Sequence, residues 1–217
     1  MIVTIDGPAG AGKSSISRRL AEILGFEFLD TGAMYRAVAL KGLRAEIDWA
    51  DEERLTALAQ ASTMQLAGTT VLLDGEDVSQ AIRTLEVTEV TRHAANNVGV
   101  RQHLVQLQRQ VAAGKDIVTE GRDQGTVVFP EAACKIFLTA SPQERAQRRV
   151  AELAARGQVV AYEQIFQQQA RRDEEDRNRP IGPLRKAQDA IEVLTDGMTE
   201  DEVLQHLVAI VRRCQPE

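Results

Sequence analysis

The amino-acid sequence predicts an α/β protein, built on a parallel sheet with helices on both faces. Short apolar, β-branched runs alternate along the chain with amphipathic segments of helical period. Such alternation is typical of a parallel sheet covered by helices. A glycine-rich loop joins the first run to the first helical segment, and the length of 217 residues suits one globular unit with a small insertion.

The first part of the chain contains the clearest strands and helices. Apolar side chains recur at helical spacing after residue 13, and Gly25 is expected to end that helix. The elements predicted in the first 61 residues are strands at 1–6 and 26–30 and helices at 13–24, 31–45 and 51–61.

The pattern then changes, and residues 63–78 predict a small β insertion of two short strands around Gly68 and an Asp74-Gly75 turn. Helical periodicity returns over about 86–113. The rest of the chain predicts strands at 116–121, 134–140 and 190–195 and helices from Pro142 to about Arg156, at 161–176 and at 199–213.

The loop after the first strand reads GPAGAGKS and fits the pattern G-x-x-x-x-G-K-[ST] at every fixed position. Its glycines allow backbone amides to turn toward an anion, and the following helix points the positive end of its dipole at the same place. We expect Lys13 to reach the β- and γ-phosphates of a nucleoside triphosphate and the Ser14 hydroxyl to bind Mg²⁺. The predicted triphosphate site comprises Gly7, Pro8, Ala9, Gly10, Ala11, Gly12, Lys13, Ser14 and Ser15.

Bulk properties exclude several classes of protein. The net charge of −6 argues against a nucleic-acid-binding chain, and no apolar stretch approaches the roughly 20 residues that a membrane span needs. No signal peptide is visible at the N-terminus. Cys134 and Cys214 form neither a disulfide framework nor a zinc spacing, so we expect a cytoplasmic protein with free thiols.

Regulatory GTPases and small-molecule kinases share this kind of loop. A GTPase switch normally carries Asp-x-x-Gly and Asn/Thr-Lys-x-Asp steps, and the sequence contains neither. A kinase needs cationic groups that neutralise charge between donor and acceptor. Residues 171–185 hold five arginines and four carboxylates, which fit either such a site or a solvated, salt-bridged helix face. The candidate arginines are Arg36, Arg101, Arg122, Arg148, Arg149, Arg172 and Arg179.

Six distinctive phrases follow one another along nearly the whole chain: TIDGPAGAGKSS at 4–15, LDTGAMYRAVAL at 29–40, LLDGEDVSQAIRT at 72–84, EGRDQGTVVFP at 120–130, KIFLTASPQERAQRR at 135–149 and RRDEEDRNRPIGPL at 171–184. Together they resemble bacterial cytidylate kinases, a family of nucleoside monophosphate kinases. The resemblance implies ATP-dependent phosphorylation of CMP or dCMP with Mg²⁺, by a chain that acts as a monomer without nucleic acid or membrane partners. Another nucleoside monophosphate acceptor is the alternative.

The resemblance also implies a domain organisation and roles for individual residues. It divides the kinase domain into a core (1–60, 85–145 and 185–217), an acceptor-binding insert at about 61–84 and a lid at about 146–184. Lys13, Arg122, Arg172 and Arg179 would be catalytic. The CMP site would comprise Thr31, Tyr35, Arg36, Arg101, Arg122, Asp123, Arg172, Asp176 and Arg179, with Arg101 and Asp123 reading the cytosine. Either Arg148 or Arg149 would enter from the lid.

Two positions depart from the family pattern. Glu120 stands where the family usually has Asp before Gly-Arg-Asp, so we expect it to lie just behind the site. Upstream of Arg101, where the family usually has a serine, an ungapped count places Arg92, with Thr91 beside it.

Overall fold

The computed structural model of the chain describes residues 1–155 and 157–215. The elements follow in the order β1 (Ile2–Asp6), α1 (Lys13–Leu24), β2 (Glu27–Asp30), α2 (Thr31–Arg44), α3 (Glu52–Gln60), β3 (Met64–Ala67), β4 (Thr70–Leu73), β5 (Glu76–Asp77), α4 (Leu85–Asn96), α5 (Val98–Ala112), β6 (Ile117–Gly121), β7 (Cys134–Thr139), α6 (Pro142–Ala155), α7 (Tyr162–Asn178), β8 (Ile191–Leu194) and α8 (Glu200–Cys214). A 3₁₀ turn at Ala81–Arg83 precedes α4, and a π-helical turn at Gln124–Val128 follows β6. The predicted α/β class is confirmed.

The central sheet has the strand order β2-β6-β1-β7-β8. β1 pairs in parallel with β6 and β7, and β7 pairs in parallel with β8. Asp6 at the end of β1 lies opposite Gly121 at the end of β6. The loop after β1 and the segment after β6 therefore leave the same edge of the sheet, where parallel α/β sheets hold their ligands.

The chain divides into two compact units. The core unit comprises Met1–Phe28 and the described residues from Lys115 onward, and the inserted unit comprises Leu29–Gly114. The inserted unit contains helices α2 to α5 and an antiparallel sheet in the order β3-β4-β5.

The apolar centre of the core unit joins the sheet to helices α1 and α8. Val3 and Ile5 of β1 are fully buried, as are Leu20 of α1 and Leu207 of α8. Each such side chain contributes about 1.5–3 kcal/mol when it is removed from water. This packing anchors α1, whose first residue follows the glycine-rich loop.

The helix predicted over 86–113 is two helices, because the chain breaks at Asn97. Asn97 has extended backbone angles (φ −73°, ψ 125°), and its Oδ1 accepts hydrogen bonds from the Val100 amide and the Thr56 hydroxyl, both at 2.9 Å. Its Nδ2 donates to the Glu52 carbonyl at 2.9 Å. An asparagine that caps a new helix competes with continuation of the old one.

Two further details differ from the sequence prediction. The β insertion has a third short strand, because positive φ angles at Asp74 and Gly75 turn the chain back so that Glu76 pairs with Leu73. The π-helical turn after β6 has no signature in the periodicity. The predicted helix end at Arg156 lies outside the described residues. Of the helices in the described part of the chain, none is long and apolar enough to cross a bilayer.

We predict that Asn97→Ala lowers the free energy of unfolding by about 3 kcal/mol, since it removes a helix cap and the two hydrogen bonds that join Asn97 to Thr56 and Glu52 of α3. Urea denaturation of the full chain measures the change. Asn96→Ala is the matched control, because Asn96 is exposed at the end of α4. Equal losses for the two variants would contradict this account of the helix break.

Candidate active site

The glycine-rich loop runs from Gly7 to Gly12, between the end of β1 and the start of α1. A Cβ on Gly7 would lie 1.9 Å from the Leu138 carbonyl oxygen, so only glycine permits this approach to β7. Gly10 has φ +76°, and a Cβ there would lie 2.6 Å from Nε2 of Gln169. No side chain caps the first turn of α1 at Gly12. The first amides of α1 thus face outward at a helix N-terminus, the arrangement that binds phosphate.

Lys13, the first residue of α1, is buried, and its Nζ donates to the Pro8 carbonyl at 2.7 Å. Burial lowers the pKa of Lys13 to about 7, helped by the positive charges of Arg122 and Arg172 and opposed by the carboxylates of Glu120 and Asp6. The lysine is therefore close to half-protonated near neutral pH, and a phosphate group would favour its charged form.

The Ser14 hydroxyl donates to Oε1 of Glu120 at 2.7 Å. Glu120 lies near the end of β6 and is buried, so it stands directly behind Ser14 of the loop. Hydroxyl and carboxylate oxygens are the ligands that Mg²⁺ prefers, and Mg²⁺ in phosphoryl-transfer sites usually takes only one or two protein ligands. The donor set at Ser14 and Glu120 therefore fits Mg²⁺.

Asp6 is a site residue that the sequence analysis missed. Its two carboxylate oxygens accept hydrogen bonds from the backbone amides of Gln124 (2.9 Å) and Gly125 (2.8 Å). Burial raises the pKa of Asp6 to about 6, against the effect of these two bonds and with a contribution from the charge of Asp123. The sequence does carry one signal for Asp6: it is an acidic residue at the end of an apolar strand, directly before the loop.

The predicted acceptor residues of the core unit gather after β6 and along α7. Nε of Arg122 lies 2.7 Å from Oδ2 of Asp176. Burial would raise the pKa of Asp176, but the charges of Arg122, Arg172 and Arg179 hold it below its usual value. Arg179 is buried and donates to the Gly182 carbonyl, and Asp123 is buried beside Arg122. Three of the four predicted catalytic residues thus act on one carboxylate, that of Asp176. The fourth, Lys13, has its pKa lowered by the charges of Arg122 and Arg172.

Ser15 and the two arginines predicted to enter from a lid make contacts outside the phosphate loop. The Ser15 hydroxyl lies 3.1 Å from the Gly12 carbonyl and 3.2 Å from a carboxylate oxygen of Glu200 on α8. Arg148 donates to the Thr195 carbonyl at 2.7 Å and pairs with Glu144 at 3.0 Å.

Arg149 makes an ion pair with Glu152 of its own helix at 2.7 Å. Both residues are partly exposed, so this pair is typical of a solvated helix face.

The inserted unit gathers the other acceptor candidates around Asp30 and Tyr35. Asp30, not Thr31, caps α2, because its side chain accepts from the Ala33 amide at 2.9 Å, and Thr31 is the first, buried residue of the helix. Asp30 Oδ1 lies 3.6 Å from Arg36.

Two more arginines complete this cluster in the inserted unit. Asp30 Oδ2 lies 3.6 Å from Arg83, a residue that the sequence analysis missed although it falls within the phrase at 72–84. Arg101 is buried, lies 5.5 Å from the centre of the Tyr35 ring and donates to the Ala95 carbonyl. Thr91 donates its hydroxyl to the carbonyl of Val87 in its own helix, whereas Arg92 is exposed.

A parallel sheet whose first strand runs into a phosphate-binding loop, beside an arginine–carboxylate cluster, defines a P-loop phosphotransferase. A sequence model of the family described as "Cytidylate kinase" matches residues 3–213. A cytidylate kinase of Rhodopirellula baltica is 55% identical over 214 residues, covering 99% of this chain and 93% of the relative. One of Caldanaerobacter subterraneus subsp. tengcongensis is 46% identical over 211 residues, covering 97% and 94%.

The chain belongs to the cytidylate kinase family. It is an enzyme, a nucleoside monophosphate kinase that transfers a phosphoryl group to CMP or dCMP. Among solved structures, an uncharacterized protein from Eubacterium ventriosum shares the fold with a TM-score of 0.53 at 11% identity, covering 98% of each chain.

We predict that binding of MgADP takes up protons near pH 8. With a pKa of about 7, Lys13 is mostly neutral at that pH, and the phosphates raise its pKa so that it gains a proton. The ADP phosphates are already ionised there, because their last pKa is about 6. Calorimetry in buffers of different ionisation enthalpy measures the uptake. Lys13→Met should abolish it; an uptake that persists in this variant would assign the proton to another group.

Proposed function

We propose that the chain binds ATP as phosphoryl donor through Gly7–Ser15 and binds CMP or dCMP through the predicted acceptor residues, among them Arg122, Arg172 and Arg179. The observation that carries this proposal is electrostatic. The charges of Arg122 and Arg172 help to lower the pKa of Lys13, so the loop lysine and the acceptor arginines act on one another. Charge that moves from donor to acceptor phosphate would stay within reach of the same cations.

The proposed reaction needs no protein nucleophile. A phosphate oxygen of CMP attacks the γ-phosphorus of ATP in line, and ADP leaves. Lys13 stays in contact with the γ-phosphate during the transfer. Arg122, Arg172 and Arg179 hold the acceptor phosphate and neutralise charge on the transferring group. Asp176 orients Arg122 through their 2.7 Å ion pair. Ser14, with Glu120 beside it, would hold Mg²⁺, which would supply further neutralisation of the donor phosphates.

Selection of cytosine is proposed to rest on Asp123 and Arg101. A carboxylate accepts a hydrogen bond from the exocyclic amine of cytosine, whereas uracil presents a carbonyl oxygen at that position and would be repelled. The burial of Asp123 supports this role, because a buried carboxylate discriminates more strongly between a donor and an acceptor. In the inserted unit, Thr31, Tyr35 and Arg36 are proposed to contact the acceptor nucleotide.

The remaining proposals concern organisation and surroundings. Residues at about 61–84 are proposed as the acceptor-binding insert and those at about 146–184 as a lid whose closure excludes water, with Arg148 or Arg149 contributing from it. The protein is proposed to work as a cytoplasmic monomer on nucleotides, without nucleic acid or membrane partners.

We predict that CMP and dCMP are better acceptors of the ATP phosphoryl group than AMP, GMP or UMP. The test follows ADP release with ATP and each monophosphate in turn. Equal rates with all acceptors would favour a different monophosphate kinase.

We predict that Lys13→Ala reduces kcat about a hundredfold or more, because it removes one preorganised cation from the transferring phosphoryl group. Lys115→Ala is the matched control, since Lys115 forms an exposed pair with Glu27. Circular dichroism checks that both variants are folded. CMP phosphorylation at nearly the wild-type rate in Lys13→Ala would refute the donor assignment.

We predict that Asp123→Ala lowers the ratio of kcat/KM for CMP to that for UMP by about tenfold, the effect expected for one discriminating polar contact. The ratio distinguishes loss of base recognition from a general loss of structure, because a general loss would lower kcat/KM for CMP and for UMP together. An unchanged ratio would mean that another group reads the base.

A further inference from the structure

A buried ion pair from the two helices after β7 holds the middle of the phosphate loop. Nη2 of Arg145 on α6 lies 2.6 Å from Oδ2 of Asp173 on α7, and both side chains are 3% exposed. Nη1 of Arg145 donates to the Ala9 carbonyl at 2.7 Å, and Nε donates to the Ala140 carbonyl at 3.1 Å. The Ala9 amide in turn donates to Oδ1 of Asp173 at 3.3 Å.

The pair therefore holds both polar groups of one loop residue. In a planar trans peptide the C=O and the following N–H point in opposite directions. Because Arg145 holds the Ala9 carbonyl, the Gly10 amide of the same peptide is aimed away from Arg145. Likewise, Asp173 holds the Ala9 amide, and the Pro8 carbonyl of that peptide turns to the other side, where it accepts from Lys13 at 2.7 Å.

The helices leave little room for another loop conformation. Gln169 of α7 donates to the Arg145 carbonyl at 3.3 Å. Its amide group and the Cβ of Arg145 both lie against Gly10, at 2.6 and 3.5 Å from the position of an added Cβ. The charge of Asp173 also acts on Arg122, whose pKa it helps to raise. That effect is smaller than the effect of Asp176, which pairs with Arg122 directly, so the ion pair acts mainly on the loop.

We propose that Arg145 and Asp173 are positioning residues for phosphoryl transfer: they fix the peptides on either side of Ala9 so that the Gly10 amide faces the donor phosphates. This inference rests on the proposed donor site. Neither residue needs to contact the nucleotide, and the effect passes through the loop backbone.

The dipeptide Ala-Gly allows a direct test, because it occurs four times, at 9–10, 11–12, 67–68 and 113–114. A protein labelled with ¹³C-carbonyl alanine and ¹⁵N-glycine gives one carbonyl–amide correlation signal for each. Two signals report on the loop and two serve as internal controls. In the wild type, MgADP should shift both loop signals.

Two variants alter the pair conservatively. Arg145→Lys keeps the charge opposite Asp173 but cannot bridge both carbonyls as the guanidinium does. Asp173→Asn keeps an acceptor for the Ala9 amide and loses the charge, and it tests the same idea if Arg145→Lys fails to fold. In each, the 9–10 signal should lose most of its response to MgADP. The Kd for MgADP should rise about tenfold while that for CMP changes less than about twofold, as expected when charge-assisted hydrogen bonds to the loop are lost.

Glu175→Gln is the control, because it removes an exposed ion pair with Arg171 on the same helix. It should leave the signals and both Kd values unchanged. A wild type whose loop signals ignore MgADP would refute the donor site and the inference together. Normal loop responses and normal affinity in both variants would overturn the inference alone. Equal weakening of MgADP and CMP binding would also overturn it, since that outcome marks a general loss of structure.

Discussion

Several positive charges lie close together in the interior of the core unit, and the rest of the site is arranged to make this possible. Lys13 is buried within the influence of Arg122 and Arg172. Two like charges about 4 Å apart repel by about 4 kcal/mol at the effective dielectric constant of a protein surface region. Nearby carboxylates offset this repulsion. Glu120 raises the pKa of Lys13 against the effect of the arginines, and Asp176 pairs directly with Arg122. These carboxylates make the cationic site compatible with a folded chain.

The sheet and one helix supply these carboxylates in a regular way. The ends of β1 and β6 are paired in parallel, so Asp6 and Glu120 emerge at the same edge of the sheet. Asp173 and Asp176 are three residues apart on α7 and therefore share one helix face. Asp173 contacts the phosphate loop both directly and through Arg145, while Asp176 contacts Arg122 in the segment after β6. A small rotation of α7 would disturb both contacts, which links the geometry of the donor and acceptor sides.

The sequence predicted those features that depend on neighbouring residues. The glycine-rich loop, its flanking strand and helix, and most elements of the sheet follow from local pattern and spacing. The break at Asn97 escaped prediction because the apolar period continues across it, and the hydrogen bonds that hold the asparagine against α3 come from residues more than forty positions away.

The ion pair of Arg145 and Asp173 escaped for a similar reason. Each residue lies in a charged stretch that reads equally well as a solvated helix face, and burial distinguishes it only in three dimensions. Asp6 also escaped prediction, because it reads as the last residue of an apolar strand and its partners, the amides of Gln124 and Gly125, are distant in sequence. Residues whose importance comes from distant partners are the ones that sequence pattern cannot single out.

The bond between Lys13 and the Pro8 carbonyl, together with the pair of Arg122 and Asp176, has a consequence for which anions can occupy the site. The strongest cations already have oxygen partners within the protein. A chloride ion offers one charge and no fixed set of oxygens, so it gains little by displacing them. A polyphosphate chain carries several charges and, at the proposed donor site, would engage loop, lysine and arginine at once. In the proposed site, these internal bonds would therefore disfavour simple salt anions and favour ligands that offer several oxygens at once.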